Sequence, residues 1–149
     1  MPSRRQFVCA ISSLAAAPWI PAPASAQPDP FAPLIAAFTG GAPVKQGRVT
    51  LEIPSLADNG NSVPLRIGVD SAMSIADHVK RITVLSEKNP RPVIATFYLG
   101  PRSGRALIDT RVRLNGAQRL MAIAQLSDGT YWSGYADVIV TSSACWDES

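Results

Sequence analysis

Few side chains in this sequence can do covalent chemistry, and Cys145 is the most informative of them. The chain holds two cysteines, Cys9 and Cys145, and a single histidine, His78. A cysteine thiolate is a nucleophile, and a histidine within hydrogen-bond reach can activate it as a base. Neither His78 nor Cys145 has a neighbour at the spacing that is typical of metal ligands. The sequence therefore offers thiol chemistry, and we predict no metal or cofactor site.

The first 26 residues have the pattern of an export signal. Arg4 and Arg5 precede an apolar stretch, and Ala24-Ser25-Ala26 supplies the small residues of a cleavage site. The segment 3–8, Ser-Arg-Arg-Gln-Phe-Val, matches a twin-arginine signal. The apolar stretch is too short to span a bilayer. We expect residues 1–26 to be removed and the mature protein to be located in the periplasm.

Cleavage would remove Cys9 and leave Cys145 without a partner in its own chain. In an oxidising compartment, structural cysteines normally occur in disulfide-bonded pairs. An odd cysteine in an exported protein indicates either an intermolecular disulfide or a working thiol. A homodimer linked through two copies of Cys145 is one expected form, and a thiol that carries or attacks a substrate is the other.

The charge pattern excludes one class of partner. Of the 14 basic residues, Arg4 and Arg5 lie in the predicted signal, so the mature chain is nearly neutral against its 11 acidic residues. No basic stripe with interleaved aromatic residues remains, and this argues against nucleic-acid binding. We predict neither a nucleic-acid partner nor a membrane-bound domain.

The mature chain is predicted to begin with a short helix and to continue as β-strands. Asp29 and Pro30 have the types of an N-cap and a first helical residue, and Gly40-Gly41 would end the helix near Phe38. Seven short alternating runs follow, separated by turn residues. They cover about 48–53, 63–69, 79–86, 93–99, 106–114, 120–126 and 132–140. This pattern predicts an all-β, immunoglobulin-like sandwich of about seven strands.

Two turns between these runs carry specific predictions. Asp128-Gly129 is typical of a two-residue hairpin between the last two strands. The basic segment 100–105 resembles a phosphate-binding loop only in composition, because it lacks the P-loop spacing and enters no helix. We interpret this segment as a hairpin turn.

The last residues would place the thiol outside the sandwich. We expect residues 27–141 to form the domain and residues 142–149 to be a mobile tail that carries Cys145. Four extended residues from Thr141 to Cys145 span roughly 13 to 14 Å, enough to bring the thiol into another protein's cleft. Alternatively, Trp146 packs the tail onto the domain, and Cys145 is then a small apolar residue.

Several short segments of the mature chain together carry a resemblance to a known family. They are Gly47-Arg48-Val49-Thr50-Leu51 through Pro54, Ala57-Asp58-Asn59-Gly60 with Val63-Pro64, Asp70-Ser71-Ala72-Met73, Lys88-Asn89-Pro90, Ala95-Thr96-Phe97-Tyr98-Leu99, Thr110-Arg111-Val112-Arg113-Leu114, Ala124-Gln125-Leu126-Ser127-Asp128-Gly129 and the terminal cysteine. In these segments the chain resembles the SoxY family, the sulfur-carrying subunits of the SoxYZ complex in thiosulfate oxidation. The resemblance extends over nearly all of residues 27–149.

The resemblance implies a fold, a partner and a role. It implies an immunoglobulin-like domain paired with a SoxZ-like subunit, and a thiol at Cys145 as the covalent attachment point for substrate. Periplasmic sulfur-oxidising enzymes would load, oxidise and hydrolyse the attached group, so the chain would be a carrier and not a catalyst. The family's Gly-Gly-Cys-Gly-Gly end is replaced here by Ser143-Ala144-Cys145-Trp146, and the acidic Asp147 and Glu148 disfavour a thiolate nearby.

Two other functions fit the same residues. A noncatalytic scaffold module would use Trp146 as a docking anchor and would need no thiol. A thiol enzyme would need His78 and Cys145 within hydrogen-bond reach of each other.

Overall fold

The computed structural model describes residues 27–144, and β-strands make up most of the regular structure within this range. The described residues form one α-helix, nine strands and a short 3-10 helix at Pro101–Ser103. In chain order the elements are α1 (Ala32–Thr39), β1 (Val44–Gln46), β2 (Val49–Glu52), β3 (Leu56–Ala57), β4 (Val63–Val69), β5 (Val79–Ser86), β6 (Val93–Tyr98), β7 (Leu107–Val112), β8 (Gln118–Leu126) and β9 (Tyr131–Val140).

The strands form two sheets packed face to face. The larger sheet has the order β1-β9-β8-β5-β6, with β3 also paired to β9, and the smaller has the order β2-β4-β7. The long strands pair antiparallel, whereas the short β1 and β3 pair with β9 in parallel. The predicted all-β, immunoglobulin-like sandwich is therefore confirmed.

The main core fills the space between the sheets. On β4, Val63, Leu65, Ile67 and Val69 point inward and are buried, because successive side chains of a strand point to opposite faces. The larger sheet contributes alternate residues of β5, β8 and β9, among them Val84. Burial of each such side chain contributes about 1.5 to 3 kcal/mol.

A second apolar cluster explains why β5 and β8 are buried on both faces. Phe31, at the start of α1, packs on Leu85, Met121 and Ile123, which point to the outer face of the larger sheet. The helix therefore covers the side of the central strands that the smaller sheet leaves open. Arg81 supports the other end of the helix, where one of its Nη atoms donates to the carbonyl oxygen of Phe38 at 3.2 Å.

The helix begins two residues later than the sequence predicts. Its N-cap position is Phe31, and its first helical residue is Ala32. The carboxylate of Asp29 accepts a hydrogen bond from the N–H of Phe31 at 2.9 Å, so it stabilises the turn before the helix instead of the helix itself. The predicted end is confirmed, because Gly40 adopts the left-handed conformation that closes α1 (φ 65°).

Most strand predictions agree with the structure. The bounds of β4 and β5 match the predicted runs 63–69 and 79–86, and β8 and β9 form the antiparallel hairpin predicted around Asp128-Gly129. The hairpin predicted for segment 100–105 is wrong. That segment joins β6 in the larger sheet to β7 in the smaller one, so it crosses between the sheets.

The predicted export signal at residues 1–26 lies outside the described residues. Between residues 27 and 144 we find no helix of the length and hydropathy that crossing a bilayer requires.

Candidate functional site

Cys145, the predicted attachment residue, lies immediately after the described range, whose last residue is Ala144. The candidate site is therefore built from the residues that hold Ala144. They belong to the turn around Gly60, to the segment after β7, and to the chain that follows β9.

Backbone hydrogen bonds hold the end of the described chain against two turns. The N–H of Gly60 donates to the carbonyl oxygen of Ser142 at 2.7 Å. The carbonyl oxygen of Gly60 accepts a hydrogen bond from the N–H of Leu114 at 2.8 Å. The N–H of Ala144 then donates to the carbonyl oxygen of Leu114 at 3.0 Å. Ala144 is buried. The residue before Cys145 is thus attached to the end of the sandwich.

These bonds shorten the arm on which the sequence places the thiol. The reach that we calculated from Thr141 is too long, because Ser142 and Ala144 are both hydrogen bonded to the domain. The partners are backbone groups of distant segments, which no local sequence pattern indicates. The tail was predicted over residues 142–149, and Ser142 and Ala144 in its first part are held on the domain by these bonds. Residues 145–149 lie outside the described residues, so that part of the tail stays a prediction.

Gly60 makes this attachment possible because it has no side chain. A Cβ built there would overlap the carbonyl oxygen of Leu114 and lie 2.9 Å from the nitrogen of Ala144. Any larger residue would push the two segments apart. In the sequence Gly60 lies between the first two predicted strands, where a glycine is typical of a turn, and the structure shows that it is also a point of close backbone contact.

A buried polar network positions the segment that binds Ala144. The side chain of Asn89 donates to the carbonyl oxygen of Arg113 at 2.8 Å and accepts from the N–H of Asn115 at 2.9 Å. Gln118 donates to Asn89 at 3.1 Å and accepts a hydrogen bond from the hydroxyl of Ser86. The residues on both sides of Leu114 are therefore fixed from inside the protein.

Sequence reasoning missed this network, although a signal for it exists. Gln118 has the same parity along β8 as the buried Leu120 and Ala122, and Ser86 has the same parity along β5 as Val84. A polar residue at an inward-facing strand position needs a buried partner. Two such positions at one end of the sandwich indicate a polar network there.

Exposed cations surround the same end of the sandwich. Lys88 and Arg91 lie in the β5–β6 connection, and Arg111 and Arg113 lie at the end of β7. No acidic side chain among residues 27–144 is paired with any of these four. Two exposed carboxylates, of Asp58 and Glu87, belong to the neighbouring turns, so the four cations outnumber the carboxylates that the described residues place in these turns.

On β8 and β9 and in the turn between them, charged groups have partners. Arg119 donates to Asp137 at 2.8 Å, and this hydrogen bond lowers the pKa of the Asp137 carboxyl and raises that of the guanidinium. The hydroxyl and N–H of Thr130 lower the pKa of Asp128 in the β8–β9 turn. These shifts stabilise local structure and involve none of the four cations.

His78 is at the opposite end of the sandwich from Ala144. Its N–H donates to Ser127 Oγ at 3.1 Å, just after the end of β8, whereas Ala144 contacts Leu114, ahead of the start of β8. The nine residues of β8 span about 30 Å at roughly 3.4 Å per residue. The Cα atom after Ala144 is about 3.8 Å away, so a pairing of His78 with Cys145 has no geometric support.

The part of the chain that the structure covers, residues 27–144, contains no group of three or more histidine, cysteine or acidic residues that could hold a metal ion.

Comparison with known proteins places this arrangement in a family. The family model described as "Sulfur oxidation protein SoxY" matches residues 35–145, which is most of the chain. The chain belongs to the SoxY family. The matched region includes the whole sandwich and ends at Cys145. The prediction of a carrier subunit that is not itself a catalyst agrees with membership of the SoxY family.

Solved structures support the same fold. The sulfur carrier protein SoxY from Chlorobium limicola f. thiosulfatophilum is similar with a TM-score of 0.63 and 23% identity, over 74% of this chain and 96% of that one. The superoxide reductase (neelaredoxin) from Ignicoccus hospitalis is similar with a TM-score of 0.56 and 15% identity, over 63% and 80% of the two chains.

The superoxide reductase from Nanoarchaeum equitans has a TM-score of 0.55 and 14% identity, over 64% of this chain and 100% of that chain. At these identities the likeness shows the fold alone. A search of curated proteins found no match.

Proposed function

We propose that this SoxY-family protein is a periplasmic sulfur carrier that holds thiosulfate-derived intermediates on the Sγ atom of Cys145. One observation carries the proposal: the family match continues through the end of the sandwich to residue 145. The hydrogen bonds of Ser142 and Ala144 support it, because they fix the residue before the thiol at one defined place on the domain. Because Ala144 is held there, each enzyme would meet the carried group at the same end of the domain.

The chemistry that this role requires is the formation of one sulfur–sulfur bond. The Cys145 thiol loses its proton to solvent, and Sγ bonds to the terminal sulfur of thiosulfate. Two electrons pass to an acceptor in the loading enzyme, and the product is a thiosulfonate anion on Cys145. Later enzymes would oxidise or hydrolyse that group, while the carrier supplies only attachment and presentation.

The partner proposed for this chain is a SoxZ-like subunit in a heterodimer, as the family implies. The wider partners would be periplasmic sulfur-oxidising enzymes. A disulfide between two copies of Cys145 would be an inactive form, since it consumes the thiol that the carrier needs. Residues 1–26 would export the protein as a twin-arginine signal.

Complementation of a strain that lacks its own copy of this gene tests the proposal. The Cys145→Ser variant should be exported and should copurify with the SoxZ-like subunit, but it should not restore thiosulfate consumption. The control variant Ser143→Ala alters the γ position two residues away without touching the thiol, and it should restore thiosulfate consumption.

The scaffold alternative predicts the opposite pattern. If Cys145→Ser restores thiosulfate consumption, the carrier role is wrong. If Trp146→Ala then loses both the complex and the activity, the tail acts as a docking anchor.

A further inference from the structure

We propose that Arg111 and Arg113 form an anion site that binds the sulfonate of the group carried on Cys145. This inference rests on the proposed function, because it concerns the group that the thiol would hold. It goes beyond attachment, since it assigns residues that orient the cargo.

Arg113 lies next to the residue that anchors the end of the described chain. The carbonyl oxygen of Leu114 accepts the hydrogen bond from Ala144, and Arg113 directly precedes Leu114. Arg113 is exposed, whereas Val112 and Leu114 on either side are buried. Its own carbonyl oxygen is held by Asn89 at 2.8 Å, so its backbone is fixed while its guanidinium faces solvent.

Arg111 lies two residues earlier on the same outward side and is linked to the same turn. Its Nη1 donates to the carbonyl oxygen and the hydroxyl of Ser62, each at 3.3 Å. Ser62 lies two residues after Gly60, and the N–H of Gly60 donates to the carbonyl oxygen of Ser142. A guanidinium carries five N–H donors, so most of those on Arg111 remain available for another acceptor.

Arg111 and Arg113 share the lack of a carboxylate partner with other arginines of the described chain, such as Arg102. Their position next to the Leu114 carbonyl that binds Ala144 sets them apart. Arg48, Arg66 and Arg119 each form an ion pair with an acidic side chain at 2.6 to 3.3 Å. Arg111 and Arg113 form none among residues 27–144. Guanidinium groups bind oxyanions through two parallel hydrogen bonds, and a sulfonate offers three oxygen atoms for this geometry.

The chemical reason for such a site is the charge next to the thiol. Asp147 and Glu148 follow Cys145 within three residues, and carboxylates repel both a thiolate and an incoming anion. Arg113 directly precedes Leu114, whose carbonyl oxygen binds Ala144, and Arg111 lies two residues earlier. Their guanidinium groups would offset that repulsion. They would attract the anionic donor to Cys145 and then hold the sulfonate that results.

Enzyme-free loading with tetrathionate tests the site directly. The Cys145 thiolate attacks an inner sulfur of tetrathionate, the central S–S bond breaks, and thiosulfate leaves with the electron pair. The product on Sγ is the same thiosulfonate that the carrier would hold. We divide this rate by the rate with neutral iodoacetamide, because the ratio removes differences in the thiolate fraction.

We expect this ratio to fall roughly three- to tenfold at low ionic strength in the Arg111→Gln/Arg113→Gln double variant. Arg113→Lys should retain much of the ratio. The control Arg102→Gln/Arg105→Gln removes an equal charge beyond the other end of β7 and should leave the ratio unchanged. An unchanged ratio in the Arg111→Gln/Arg113→Gln variant, or an equal fall in the Arg102→Gln/Arg105→Gln control, would overturn the proposal.

A tail variant distinguishes cargo from the chain's own carboxylates. If Asp147 and Glu148 occupied the two arginines, Asp147→Asn/Glu148→Gln would raise the ratio, and the arginine substitutions would matter only in that background. That result would overturn the assignment to cargo. The reaction needs no partner enzyme, so failure here leaves the carrier role standing, and that role fails separately if Cys145→Ser restores thiosulfate consumption.

Discussion

Gly60 lies where three segments of backbone meet. Its N–H binds Ser142, its carbonyl oxygen binds Leu114, and a Cβ in its place would approach the nitrogen of Ala144 to 2.9 Å. Real Cβ atoms do not come that close to backbone atoms. The space at this single residue therefore determines whether the chain before Cys145 can stay attached to the domain.

We expect Gly60→Ala to destabilise the protein by about 1 to 3 kcal/mol, because the added methyl group must displace backbone atoms. The residues after Val140 should become more sensitive to protease. Urea unfolding and limited proteolysis measure the two effects. Gly100→Ala is the matched control, since a Cβ there meets nothing within 4 Å. Equal stability of the two variants would contradict this view of Gly60.

Asp128 gives a prediction that depends on pH. Its carboxylate accepts hydrogen bonds from the hydroxyl and the N–H of Thr130 at 2.6 and 2.9 Å, which hold its pKa below the ordinary value of 3.8. Because the folded pKa is lower than the unfolded one, the stabilisation is present above the unfolded pKa and is lost as the pH falls through the folded pKa.

The Asp128→Ala variant should therefore melt at a lower temperature than the wild type at pH 7. The difference should shrink as the pH is lowered through the depressed pKa of Asp128. Asp128→Asn keeps an acceptor oxygen but does not titrate, so its difference from the wild type should also shrink on acidification. A difference between wild type and Asp128→Ala that stays constant down to acid pH would contradict the assignment.

At the scale of elements, the network around Asn89 joins the β5–β6 connection to the β7–β8 connection. Its side chain binds Arg113, Asn115 and Gln118. It is buried, so water cannot replace these partners. Removal of the side chain would take the partner from the carbonyl oxygen of Arg113 and the N–H of Asn115, each at a cost of about 1 to 3 kcal/mol.

We expect Asn89→Ala to lower the free energy of unfolding by roughly 2 to 4 kcal/mol and to loosen the segment that holds Ala144. Urea unfolding gives the first quantity, and hydrogen exchange at the amide of Ala144 gives the second. Asn89→Asp keeps the size and loses the donor to Arg113, so it should fall between wild type and alanine. Full protection of the Ala144 amide in Asn89→Ala would contradict the proposed positioning role.

The long strands were predictable because their own residues specify them. The inward residues of β4 alternate without a break, and Asp128-Gly129 specifies the turn between β8 and β9. The strands β1 and β3 have three and two residues, too few to show alternation. They exist because β9 offers an edge for parallel pairing, and only the folded chain supplies that edge.

The candidate site was predictable in part for the same reason. The sequence indicates Cys145 because export, if it occurs as predicted, would leave the chain with one cysteine, which is unusual. It does not indicate the attachment of Ala144, whose partner Leu114 is 30 residues away and contributes only a backbone carbonyl. Hydrogen bonds between backbone groups do not depend on residue type, so contacts of this kind between distant segments cannot be recognised in the sequence.

At the scale of the whole molecule, the helix and His78 lie away from the end of the sandwich that holds Ala144. The helix α1 lies on the outer face of the larger sheet, and His78 lies at the end opposite Ala144. The end that holds Ala144 also contains the Asn89 network and the two arginines Arg111 and Arg113. On this account an enzyme that works on the carried group must approach that end of the sandwich, since the chain is held as far as Ala144.

Intact mass spectrometry of the native protein tests the central claim most directly. Protein purified from the periplasm of cells grown on thiosulfate should carry sulfur-containing adducts, and fragmentation should place them on Cys145. The Cys145→Ser variant from the same cells should carry none. Only free thiol and disulfide-linked dimer in wild-type protein, or the same adducts in Cys145→Ser, would contradict a sulfur carrier that works through this residue.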